Sequence, residues 1–133
     1  MKKSDFFLFV VLGILFWFAA AMIIRYFGAT VFSENNPMLI LFYVLAIPIT
    51  FVFLYITLMV TKYTTAAILK PVVIMTFTAT FLDAIALSWF RSLYSESFEV
   101  ALHGAAWILW GAGLGLLLSY YYDWKGSLKK ANF

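Results

Sequence analysis

The sequence predicts an all-α protein, a transmembrane four-helix bundle with N-in, C-in topology. Three observations carry that prediction. Four long apolar stretches divide the 133-residue chain, and nearly all of its lysines stand at three of the five junctions around them. Hydrophobic residues make up 65% and charged residues 11% of the chain, where a soluble domain carries about 25% charged residues. A bilayer core takes about 20 apolar residues per helix, so residues 1–133 hold four spans as a single domain, with no separate soluble unit. There is no cysteine, which excludes disulfides, thiol redox chemistry and thiolate metal sites. The net charge of +3 comes from basic residues that flank apolar spans and form no patch. That pattern speaks for a bilayer and against nucleic acid.

The first span, about 6–24, contains no charged residue, and Ser4 and Asp5 precede it as N-cap candidates. Its apolar run exceeds the h-region of a signal peptide, about 7–15 residues, and Arg25 follows it directly, so a retained helix is expected. Residues 26–37 (YFGATVFSENNP) read as a connection, with Gly28 as a C-cap and Asn-Asn-Pro as a turn. The second span, about 38–61, contains Pro48, which predicts a kink because proline removes a backbone donor and crowds the preceding turn. Residues 62–70 (KYTTAAILK) connect to a third span, about 71–90, where Pro71 suits the first turn. Residues 91–99 (RSLYSESFE) lead into the fourth span, about 100–122, followed by a lysine-bearing tail.

Orientation follows from the basic residues. Lys2, Lys3, Lys62, Lys70, Lys125, Lys129 and Lys130 fall on one side, seven against Arg25 and Arg91 on the other. The positive-inside rule puts the lysines in the cytoplasm and the 26–37 and 91–99 connections outside. Tyr120, Tyr121, Tyr122 and Trp124 suit a cytoplasmic aromatic belt, and Tyr26, Trp89 and Tyr94 an outer one.

Asp83 stands first among the residues able to carry chemistry. It lies about 10 Å below the outer helix end at 1.5 Å per residue, a depth at which a carboxylate is costly. Thr76, Thr80 and Asp83 share a helix face at i, i+4 and i+7, so this stripe belongs toward the bundle interior or a wet cavity. It reads as a proton-, ion- or substrate-binding carboxylate, or as a structural acid bonded to threonine hydroxyls or an arginine. His103, the single histidine, matches Asp83 in depth across the third connection and suits a His–Asp pair or a hydrated interfacial imidazole. Arg25 and Arg91 end the first and third spans on the same outer side, in reach of Asp83 or lipid phosphate, or snorkelling to the interface.

Gly104, Gly111 and Gly115 lie on roughly one face of the fourth helix and suit close helix packing, inside the bundle or between protomers. Trp107 and Trp110 suit a pocket for a flat ligand such as a quinone or pigment, or ordinary belt and core packing. No Gly-x-Ser-x-Gly, His-x-x-x-His or glycine-rich phosphate loop occurs. One histidine and no cysteine leave neither a zinc site nor a bis-His haem within one chain. No catalytic residue is assigned, no metal is expected, and no cofactor is identified.

Phe81–Phe90 (FLDAIALSWF) and Gly104–Gly113 (GAAWILWGAG) together resemble a family of small bacterial four-span proteins catalogued only as a domain of unknown function. The resemblance covers the third and fourth helices and implies a bacterial inner-membrane protein, with emphasis on Asp83, Trp107 and Trp110. Two functional readings follow. The leading one is a non-catalytic accessory subunit or assembly factor, packed against a membrane-protein partner or forming a homo-oligomer in the lipid bilayer. The other is a small oligomeric proton-coupled transporter with Asp83 as its coupling carboxylate.

Overall fold

The computed structural model describes residues 2–131, with side chains as far as Lys129. Its four helices are α1 (Lys3–Val31), α2 (Pro37–Val60), α3 (Leu69–Trp89) and α4 (Phe98–Ala131), with single 3-10 turns at Thr65–Ala67 and Arg91–Leu93. All four are long and apolar enough to cross a membrane. At 1.5 Å per residue even the 21-residue α3 reaches about 32 Å, the thickness of a hydrocarbon core. The outward faces carry large apolar side chains, among them Phe7, Ile40, Phe81 and Leu109. Such a surface is stable only against lipid.

The ends differ from the sequence expectation where packing overrides local signals. Lys2 is the N-cap of α1 and makes no capping bond, and Asp5 sits in the first turn instead of before it. Gly28 does not stop α1. It is buried inside the helix, where a Cβ would come 2.5 Å from a Val100 side-chain carbon, so its role is close approach to α4. The first connection therefore shrinks to residues 32–36. Asn35 adopts a left-handed φ of 63°, and the Asn36 side chain caps α2 by accepting from Met38 N–H, with Pro37 at the first helical position. Helix α2 runs unbroken through Pro48. The tail from residue 123 onward continues α4, because Gly126 seats against Ala66 of the second connection with a prospective Cβ only 2.8 Å from the Ala66 Cβ.

Helices α1 and α4 each pack against the other three, whereas α2 and α3 barely meet. Two apolar cores result. One core, on the side of the 32–36 and 90–97 connections and named outer after the expected orientation, gathers Ala21, Ile24, Phe32, Ala86, Tyr94 and Trp107. An inner core gathers Phe9, Leu12, Leu54, Ile68, Val72 and Met75. The lysines with described side chains stand at the inner-core end; the side chain of Lys130 lies outside the described residues.

The glycines separate by what a side chain would meet. Gly13 presses α1 onto α3, where a Cβ would lie 2.9 Å from the Met75 carbonyl oxygen, while a Cβ at Gly111 meets nothing within 4 Å. A backbone atom cannot step aside as a side-chain tip can. Gly13→Ala should therefore destabilise the bundle by about 1–3 kcal/mol. Gly111→Ala should be neutral or gain up to about 1 kcal/mol from helix propensity. Thermal unfolding of both variants in one detergent checks the contrast.

Candidate intramembrane site

Between the two apolar cores the helices enclose a cavity of about 160 Å³, lined by residues from all four. Its walls are apolar and aromatic, with Phe16 and Trp17 from α1, Phe53 from α2 and Trp107 from α4. Phe16 and Phe53 stack with ring centroids 4.5 Å apart and planes 1° apart. Gly111 and Gly115 contribute floor without bulk. Thr80, at mid-height on α3, is the lining residue classed as exposed, so the mouth opens sideways there, into the depth of the bilayer.

Asp83 is the one ionisable residue on the lining. It is 9% exposed and its Oδ1 accepts a 2.5 Å hydrogen bond from the Tyr94 hydroxyl, whose oxygen accepts in turn from Trp17 Nε1 at 3.0 Å. Tyr94 is fully buried, although it lies in the connection between α3 and α4. Arg25 holds that connection down by donating to the carbonyls of Ser92 at 3.0 Å and Leu93 at 3.4 Å. The result is a plug, with an arginine staple on its outer side and a phenol on the carboxylate below. Among the described residues, Asp83 Oδ2 has no hydrogen bond of good geometry, although the Trp17 indole stands beside the carboxylate, and no buried side-chain oxygen is left sealed without a partner. That oxygen is therefore not sealed, and Asp83 is a lining residue of the cavity.

The structure brings Thr76, Thr80 and Asp83 onto one wall, as their helical spacing implied. The threonines do not bond the carboxylate. Thr80 Oγ1 donates to the Thr76 carbonyl at 2.7 Å, and Thr50 across the cavity does the same to Ala46. Such back-bonding satisfies the hydroxyls within their own helices. The arginines also go elsewhere: Arg25 to the loop carbonyls and Arg91 over the Phe98 ring, 5.2 Å from its centroid. His103 shares a face of α4 with Trp107 and Trp110, and both indoles donate to α2, to the Phe42 carbonyl at 2.9 Å and the Tyr43 carbonyl at 3.0 Å. These carbonyls lie in the turn before Pro48 and use a second lone pair. Among the described residues, His103 makes no side-chain hydrogen bond to Asp83. Trp107 lines the cavity and Trp110 does not. Of the glycine strip, Gly104 packs tightly, on Ile24, while Gly111 and Gly115 serve the cavity.

Sequence reasoning missed Tyr94 and Trp17, which were expected in a belt and in an undistinguished first span. A tyrosine between polar loop residues gives no periodic signal for burial. Burial, and next the hydrogen bond to Asp83, push the Tyr94 phenol above its ordinary value of 10.0. The folded chain keeps that proton while an unfolded chain gives it up near pH 10.0. The stabilising contribution is therefore complete below that pH and fades as pH rises through the folded value. Tyr94→Phe should cost about 1–3 kcal/mol at neutral pH by leaving a buried acceptor unmet. The gap to the parent protein should narrow above pH 10, as measured by urea or thermal unfolding across pH. Trp17→Phe should couple with Tyr94→Phe by about 0.5–3 kcal/mol in a double-mutant cycle.

Residues 31–126 match the model of a family described as a family of unknown function, DUF5367. The match takes in Asp83, Tyr94 and Trp107 and leaves out Trp17 and Arg25. No curated protein and no solved structure matches the chain.

Proposed function

The chain belongs to the DUF5367 family, and we propose that it is a small proton-coupled transporter whose solute site is the cavity and whose coupling group is Asp83. One observation carries this reading. A buried carboxylate keeps one oxygen on the phenol and lies on the lining of a cavity that opens beside Thr80. In so apolar a space a single acid can be neutralised by one positive charge at a time, a proton or a charged solute group. Mutual exclusion at one group supplies the competition that coupling of two fluxes requires. The other groups around Asp83 do not compete for that role. Tyr94 is held protonated, Arg25 is engaged by the loop, His103 is not on the lining, and α2 contributes no ionisable lining residue. An accessory subunit needs neither the cavity nor the free oxygen, which is why transport is preferred.

Proteoliposomes with a trapped pH dye test this against a panel of small amines, acids and neutral aromatics. Proton movement should follow at least one solute gradient in the parent protein and vanish in Asp83→Asn at equal folded yield. Absence of such movement across the panel, with constant co-purification of a larger membrane protein, returns the accessory-subunit reading.

We also place the protein in a bacterial cytoplasmic membrane with both termini inside, a reading supported by the seven-to-two basic asymmetry and by the family resemblance. Single cysteines at Glu96, Thr65 and Ser127, all exposed positions, give the check. An impermeant thiol reagent added to intact cells should label the first and spare the other two.

A further inference from the structure

We propose that the cavity accepts a small monocationic aromatic amine, of one-ring arylalkylammonium size, reaching it sideways from the lipid. The inference rests on the reading of the cavity as the solute site. Size comes first: about 160 Å³ compares with the roughly 150 Å³ engineered cavity that holds benzene. One ring fits and a fused polycycle does not.

Charge comes next. The lining offers one acid and no base, and the second oxygen of Asp83 is left without a hydrogen bond by Tyr94, which takes the first. An anionic solute would meet the carboxylate without compensation. Two positive charges would find one partner.

The walls then favour an aromatic cation over a bare ion. Phe16, Trp17, Phe53 and Trp107 present rings from three helices around the acid. Ring faces attract ammonium groups and bury flat apolar surface well. A hydrated metal ion would find one carboxylate and a few neutral threonine oxygens on the lining, short of the roughly 6–8 oxygens, several of them charged, that a hard cation takes. Access completes the case. The plug of Arg25, Ser92, Leu93 and Tyr94 closes the outer end, and the inner core closes the other. The remaining way in is the mouth beside Thr80 at mid-bilayer, reached by a molecule that partitions into lipid as its neutral amine. Protonation on arrival needs only the proton that Asp83 exchanges, so the amine nitrogen gains the proton and the carboxylate keeps the charge.

The test is calorimetric titration of the whole protein in phosphatidylcholine nanodiscs with benzylamine, against benzyl alcohol and toluene, with empty nanodiscs as background. Benzylamine should bind one per chain, about 10- to 100-fold tighter than benzyl alcohol, the range of one charge-assisted hydrogen bond. Asp83→Asn should erase that preference, Asp83→Glu should keep most of it, and Gly111→Leu should abolish binding of all three by filling the space. Equal binding of toluene and benzylamine, or a preference unchanged in Asp83→Asn, overturns the proposal, as does no binding above empty nanodiscs. If Asp83→Asn does not fold, Asp83→Glu and Gly111→Leu decide. Benzylamine binding without proton movement in proteoliposomes retires transport and leaves the cation site. Proton-coupled flux of other solutes without benzylamine binding retires the cation site and leaves transport.

Discussion

A carboxylate inside a bilayer-spanning bundle must be held by something, and here the holder is a tyrosine from a loop. The chain of donors from Trp17 to Tyr94 to Asp83 ties α1, the outer connection and α3 to one point. Much of the outer half follows from it. Tyr94 reaches Asp83 only if the 91–97 segment folds inward, and that requires carbonyls at Ser92 and Leu93 to find a donor that is not water. Arg25 supplies it. Its helix can do so because α1 continues past the expected stop at Gly28, which is free to lie flat against Val100. Local glycine signals and charge placement both yield to the demand of one buried acid.

The same bond divides the labour among polar groups. Threonines in α2 and α3 satisfy themselves on carbonyls one turn back, and the indoles of Trp107 and Trp110 fasten α4 to α2. Each of these locks structure without adding charge. On the cavity lining Asp83 is the one ionisable group that keeps unused bonding capacity. With most neighbouring polar groups bonded within or between helices, a carboxylate with bonding capacity to spare is informative in a way that its burial alone would not be.

The architecture was legible because bilayer physics writes it in composition: apolar length gave the spans to within a turn or so at most ends, and proline and asparagine marked the start of α2. The ends of α1 and α4 were not, since Gly28 and residues beyond Tyr122 are helical through contacts with Val100 and Ala66 that no local window contains. At the site, Asp83 and its threonine face could be read from cost and helical spacing. Its partner could not. Depth matching drew attention to His103, but depth says nothing of rotation about the helix, and the hydrogen bond to Asp83 comes from Tyr94 instead. The arginines had closer acceptors in loop backbone and the Phe98 ring.

Glycine placement gives the last step. Small residues in a membrane helix ordinarily let another helix come close, and Gly13, Gly28 and Gly104 do that, with backbone or branched side chains filling the space of a Cβ. Gly111 and Gly115 have the same sequence signature and the opposite surroundings, open at the first and no nearer than 4.0 Å at the second. By the cost of about 24 cal/mol per Å³, a cavity of 160 Å³ forfeits up to about 4 kcal/mol relative to a filled core. A leucine in place of either glycine would recover part of that. Stability alone therefore does not account for small residues on this wall. Space held open beside the single free carboxylate oxygen, ringed by aromatic faces and reached from the lipid, is what a binding site in a bilayer requires.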